Sequence, residues 1–262
     1  MDFTLMPANL AELTDCIASA LNYPLPTARL ISRLGREHEI LTHGGRGRSV
    51  PKATSTDAAN LLIALMVCPT PARAPDYMRD FGSLLLMPSM MEFDEDAGPT
   101  VRHAFQARMT FRDAVSAALD ILGSADFAAE FNLNERVGDE RPGEDPEVAP
   151  VIDVTIIDTY LQAELAIDGS HFTFLHSSLL SAETLILSEQ AGGAKSAEAH
   201  ERIAEAAVAA NRYLSPIRST RTVEVGPLLP VAQLLHGRSF VSLLNERFDR
   251  EQAASVQFEG AV

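Results

Sequence analysis

Apolar positions recur every three or four residues along the first part of the chain and every second residue beyond position 150. In Leu10-Ala-Glu-Leu-Thr-Asp-Cys-Ile-Ala-Ser-Ala-Leu21, the residues Leu10, Leu13, Ile17, Ala20 and Leu21 share one helical face. Asn22-Tyr-Pro-Leu-Pro26 stops this helix, because proline lacks the next amide donor. Thr27 stands where it can cap a second helix over Ala28–Arg36. Thr54-Ser-Thr-Asp57 then starts a third, whose Leu61, Leu62 and Leu65 pack back on the first two. Three prolines in Cys68–Pro75 mark a connector. The spacing predicts helices over Asp76–Met87 and Phe111–Leu122, the latter ended by Gly123, and a short turn within Ala125–Leu133. Val101–Met109 fits helix and strand equally.

Residues 134–150 are rich in Glu, Asp, Gly and Pro, the composition of a linker or long exposed loop. Beyond them Val151–Ile157 is β-branched and strand-like. Tyr160–Ile167 and His171–Leu175 flank Asp168-Gly169, a strong two-residue hairpin signal. That turn sets Leu165 opposite Phe172 and Ala163 opposite Phe174, with Glu164 facing Thr173 on the other side. Helices are predicted over Ser178–Glu189, over Ala197–Leu214 with Ile203, Ala207, Ala210 and Leu214 as the apolar stripe, and over Pro230–Leu235 and Ser239–Phe248, with a strand at Arg221–Val225. The expected fold class is α+β, a small mainly helical head followed by an α+β body with a small antiparallel sheet. The expected division is a head over 1–68, a helical connector over 69–133, the linker or loop over 134–150, and an α+β domain for dimerisation or protein interaction over 151–262.

Charge sharpens the reading of the head. Arg29, Arg33 and Arg36 are spaced i, i+4, i+7 and lie on one face of the second helix, with Ser32 beside them and Leu30, Ile31 and Leu34 opposite. Such a helix offers fork-shaped donors for guanine edges and phosphates on one side and aliphatic packing on the other. A solvated basic face on an ordinary surface helix has the same appearance. The next segment tilts the balance: Thr42-His-Gly-Gly-Arg-Gly-Arg-Ser-Val-Pro-Lys52 sets Arg46, Arg48 and Lys52 on a glycine-rich projection. The order helix, turn, basic helix, Gly/Arg wing, helix resembles the winged helix-turn-helix of MerR-type regulators, phage excisionases and some phage terminase small subunits. The resemblance spans roughly the first quarter of the chain. It implies double-stranded DNA as partner, with Thr27, Arg29, Ser32, Arg33, Arg36, Arg46, Arg48 and Lys52 as contact residues. One departure is Gly35, inside or just past the reading helix, where helices commonly end.

The chain of 262 residues, 46% hydrophobic, has room for one large domain or two modest ones. Its net charge is −15, yet residues 28–52 hold six Lys and Arg against two Asp and Glu. A uniformly acidic protein repels nucleic acid, whereas a basic head on an acidic body binds through the head alone. The two cysteines, Cys16 and Cys68, fall in or beside apolar helical stretches and read as free thiols of a reducing cytoplasm. The N-terminus shows no signal pattern, and no apolar run approaches membrane length, so a cytoplasmic protein without membrane contact is expected.

Catalytic and metal chemistry find little support. Ala191-Gly-Gly-Ala-Lys-Ser196 departs twice from a phosphate-binding loop, at Ala194 and at Glu189. His171 and His176, five apart around a strand, point to opposite faces and cannot chelate together. Asp153, Asp158 and Glu164 are carboxylates on edge strands with no nucleophile near them. Absence of Trp and only four Tyr argue against a single-strand stacking platform. The expectation is a non-enzymatic, cofactor-free, sequence-specific regulator of transcription, in the style of phage or mobile-element regulators. Its acidic body would form a homo-oligomer or contact RNA polymerase or another protein. The alternatives are a DNA-packaging subunit of the small-terminase kind and a protein-interaction adaptor whose helix-turn-helix does not touch DNA.

Overall fold

The computed structural model describes residues 8–43, 51–131, 149–157, 161–179, 181–182, 196–213 and 220–259. Helix α1 (Leu10–Ala20) opens on a capping box. The Asn9 side chain accepts from the amides of Ala11 and Glu12, and Glu12 accepts from the Asn9 amide at 2.9 Å. Leu10, Leu13 and Ile17 are buried, as the spacing predicts. A tight turn comes next, with Asn22 in the left-handed conformation (φ 49°).

Helix α2 runs Leu25–Glu37, so it starts earlier and ends later than its sequence pattern suggests. Pro26 sits in its first turn, where a missing amide costs nothing and the fixed φ favours the helix. The proline read as a stop thus belongs to the start. Thr27 lies inside the first turn and does not cap the helix, whose N-cap is Pro24. Gly35 lies within the helix and does not end it. Its missing side chain makes room for Leu41, since a Cβ there would stand 2.6 Å from Leu41 Cδ1. The left-handed residue beyond the helix end is Glu39 (φ 58°), and the amides of Ile40 and Leu41 return to the Gly35 carbonyl.

Helix α3 (Ser55–Val67) is the core of the protein: every residue from Asp57 to Val67 is buried. Its Thr54–Asp57 capping box forms as the sequence indicates. Asp57, only 2% exposed, also accepts from the Thr42 amide at 2.7 Å and ties the chain after α2 to α3. A 3-10 turn at Pro71–Arg73 leads into α4 (Ala74–Gly82).

The helix expected to reach Met87 stops at Gly82, and Leu85–Glu92 form strand β1. A short apolar run carries no period of its own, so pairing partners decide its state. Here Leu86 pairs with Phe174 and exchanges bonds with the backbone of Arg108 and Met109. Pro88 is tolerated because β1 is an edge strand. Helices α5 (Pro99–Ala104), α6 (Phe111–Leu122) and α7 (Ala125–Glu130) come after it. The linker read over 134–150 lies, up to residue 148, outside the described residues.

Strands β2 (Ile152–Ile157), β3 (Gln162–Ile167) and β4 (Ser170–Leu175) join β1 and β5 (Thr220–Val223) in a five-stranded antiparallel sheet, order β1-β4-β3-β2-β5. The hairpin register is the one read from sequence: Leu165 opposite Phe172, Ala163 opposite Phe174, Glu164 opposite Thr173. Asp168 (φ 42°) and Gly169 (φ 83°) both take positive φ, as a type I′ turn requires. The inner face (Ile152, Val154, Ile156, Leu165, Ile167, Phe172, Phe174) is buried, with Phe111 of α6 against Phe174 and Phe105 stacked on Phe172.

Helix α8 (Ser196–Asn211) does not bury the expected stripe: Ile203 is 43% exposed and Ala207 is exposed, while Leu214 lies outside the described residues. Ala199, Ala206 and Tyr213 face inward instead. Alanines on every side leave such a helix without a clear period, and Tyr213 sets its rotation by packing on Tyr77 and Phe81. Of the helix read over Ser178–Glu189, Leu180 and residues 183–189 are outside the described set. Helices α9 (Val225–His236), with Pro230 inside it, and α10 (Phe240–Glu259) complete the chain. One core runs from Leu10 to Leu244 without interruption at residue 68: α1 lies against α9, and α3 against α6. Both cysteines are free thiols. No described helix is long and apolar enough to cross a membrane.

Candidate nucleic-acid interface

The exposed face of α2 carries Arg29, Arg33 and Arg36, while Ala28, Ile31, Ser32 and Gly35 are buried beneath it. Periodicity alone brings the three guanidinium groups to one side, and the structure keeps them there. Their partners were not legible in the same way. Arg29 Nε and Nη2 donate to the two carboxylate oxygens of Asp15 on α1, at 2.9 and 2.6 Å. This fork holds the Asp15 carboxyl below the ordinary carboxylate range and raises Arg29. Arg33 Nε lies 3.4 Å from Glu37, one helical turn on. Both pairs are solvent-exposed, the arginine side chains at 60%, so they are screened and readily exchanged. Arg36 has no carboxylate partner among the described residues.

Ser32 does not flank this stripe. It is 6% exposed, and its hydroxyl is hydrogen-bonded to Thr14 Oγ1 at 3.0 Å, so it joins α1 to α2. Thr14 in turn donates to the Leu10 carbonyl. Above this pair a cleft of about 240 Å³ opens between the helices, lined by Leu10, Ala11, Thr14, Arg29, Ser32 and Arg36. Thr27 is half-buried in the first turn.

Arg46 and Arg48 lie outside the described residues. The segment that carries them leaves at His43 and returns at Lys52, which is exposed and bridges Asn9; the Ala53 amide donates to the Ala8 carbonyl at 2.8 Å. This bridge seats Lys52 beside the capped N-terminus of α1. Sequence reasoning missed Asp15, Glu37 and Asn9. Glu37 was discoverable as the i+4 neighbour of Arg33, whereas Asp15 and Asn9 depend on how α1 meets α2 and the returning chain.

The other groups weighed for chemistry stay apart. Asp153 and Glu164 are half-buried on the outer face of the sheet, and Asp158 and residues 191–195 are outside the described set. No group of three or more His, Cys, Asp or Glu among the described residues could hold a metal ion. A cleft of about 540 Å³ is lined by Asp94, Asp96, Glu130 and Asp168 among others. Its carboxylates hold local structure: Glu130 accepts from the Thr100 amide at the start of α5, Asp94 from the Asp96 amide, and Asp168 from the Val151 amide. Comparison with protein-family models, with curated proteins and with solved structures finds no match to this chain.

Proposed function

We propose that the protein is a sequence-specific double-stranded DNA-binding regulator of transcription that works through a winged helix-turn-helix built from α1, α2 and the segment returning at Lys52. The observation that carries this reading is the exposed row Arg29, Arg33 and Arg36 on a helix whose opposite side is buried. The short turn with a left-handed residue between α1 and α2 adds support, since such turns join the two helices of this motif. On this reading Arg29 and Arg33 reach base edges, with Arg36 at the cleft beside them, while Arg46, Arg48 and Lys52 anchor phosphates. The acidic remainder limits non-specific binding and serves oligomerisation or contact with RNA polymerase or another protein in the cytoplasm.

The test is selection of bound sequences from random duplexes, followed by binding to selected and scrambled duplexes across a salt series. An enriched motif with salt-dependent affinity is expected. Absence of any salt-sensitive binding would leave the adaptor reading, in which the helix-turn-helix serves a protein contact. The pairing of Arg29 with Asp15 and Arg33 with Glu37 is the observation that favours that second reading.

A further inference from the structure

A second group of arginines, far from residues 28–52 in sequence, meets in one place. Arg73 ends the 3-10 turn, Arg79 lies on α4, and Arg212 stands just past the end of α8. With Asp76, Asp80 and Tyr213 they line a cleft of about 450 Å³. In a chain of net charge −15, three guanidinium groups around one cleft is a local reversal of sign.

The arrangement is ordered by aromatic packing. The Arg73 guanidinium lies 5.3 Å from the Tyr77 ring centroid and 5.6 Å from that of Tyr213. The rings hold it by cation–π attraction, which leaves its N–H edge available. No carboxylate among the described residues pairs with it. Asp80 is the acid closest to the arginines, and it is already engaged: the Tyr213 hydroxyl donates a hydrogen bond to it. Burial, and then that bond, push the Tyr213 hydroxyl far above the ordinary tyrosine range, so it stays protonated and keeps donating. Arg212 only brushes Asp80 at 4.0 Å, and its side chain is 72% exposed. Asp76 is exposed. Arg79 reaches back to the His38 carbonyl at 3.5 Å, at the C-terminal end of α2.

We infer that this cleft between α4 and the end of α8 binds a phosphate group, held by Arg73, Arg79 and Arg212. A phosphate presents three or more acceptor oxygens and can meet several forks at once, which a carboxylate cannot. Asp80 accepts the hydrogen bond of the Tyr213 hydroxyl, which takes one of its carboxylate oxygens away from the arginines. The inference goes beyond the DNA-binding reading and does not depend on it. The phosphate can belong to a small phosphorylated molecule or to a nucleic-acid backbone.

The experiment uses the full-length chain with inorganic pyrophosphate and with a short duplex as probes. Titration calorimetry compares wild type with Arg73→Gln, Arg212→Gln and, in the head, Arg36→Ala. Binding of pyrophosphate weakened about tenfold by Arg73→Gln or Arg212→Gln, and unaffected by Arg36→Ala, is expected for a small-molecule source. Duplex binding weakened by Arg212→Gln, without pyrophosphate binding, assigns the cleft to a nucleic-acid backbone. If Arg73→Gln unfolds the protein, Arg212→Gln decides, because its side chain is exposed. The inference is overturned if wild type binds neither probe, or if Arg212→Gln leaves the binding of both unchanged. Duplex binding lost in Arg36→Ala and intact in Arg212→Gln, with pyrophosphate binding equally untouched by Arg212→Gln, would uphold the head and reject the cleft.

Discussion

Arg29 and Asp15 face each other across the turn between α1 and α2 and share a two-pronged hydrogen-bonded ion pair. The carboxylate occupies the guanidinium edge that a phosphate or a guanine would otherwise use. Asp15→Asn keeps a similar shape and removes the competing charge. It should tighten duplex binding by on the order of a few-fold, more at low salt than at high salt. A salt series with wild type and variant checks this. Unchanged or weaker binding in Asp15→Asn would mean that Arg29 takes no part in binding DNA.

The hairpin turn admits one substitution and resists another. Asp168→Asn retains an acceptor for the Val151 amide and tolerates φ 42°, so its stability should stay near that of wild type. Gly169→Val should cost about 1–3 kcal/mol, because φ 83° is strained for a β-branched residue. A Cβ there would also stand 2.5 Å from Asp94 Oδ2. Urea unfolding of both variants measures the difference; equal midpoints would remove the strain argument.

His176 gives the fold an acid sensitivity. Burial lowers its pKa from the ordinary 6.5, opposed by the charges of Asp80 and Glu205. Below about pH 6.5 the unfolded chain therefore takes up a proton that the folded chain does not. Stability is complete above that pH and falls as the pH drops towards the folded value. His176→Gln should flatten this decline below about pH 6.5. The comparison is the change in unfolding free energy over the window, and an equal decline in both proteins would assign it to other groups.

A fragment ending near residue 70 tests the continuity of the core. Helix α3 is buried on all sides, in large part by α6 and α4, and α1 rests on α9. Cutting after α3 removes α4 and α6 and so exposes apolar side chains of α3 to water. We expect weak helicity and no cooperative unfolding by circular dichroism. A sharp transition would show that the first three helices fold as a domain of their own.

Elements whose signal is local could be read from the chain alone. Capping residues fix where α3 and α6 begin, a type I′ turn fixes the hairpin register, and i, i+4, i+7 spacing fixes the arginine face of α2. These depend on bonds and turns made within a few residues. Other features waited on distant partners and emerged only with the packed fold. Leu85–Glu92 became a strand because β4 and the backbone before α6 offered ladder bonds. Gly35 lies within the helix at the point where Leu41 packs closely over it, a contact that a Cβ would block. Ser32 turned inward to meet Thr14, and Arg29 found Asp15. The meeting of Arg212 with Arg73 and Arg79 could not be read at all: chain neighbours say nothing about side chains so far apart in sequence, and only the packing of Tyr213 on Tyr77 and Phe81 brings them together.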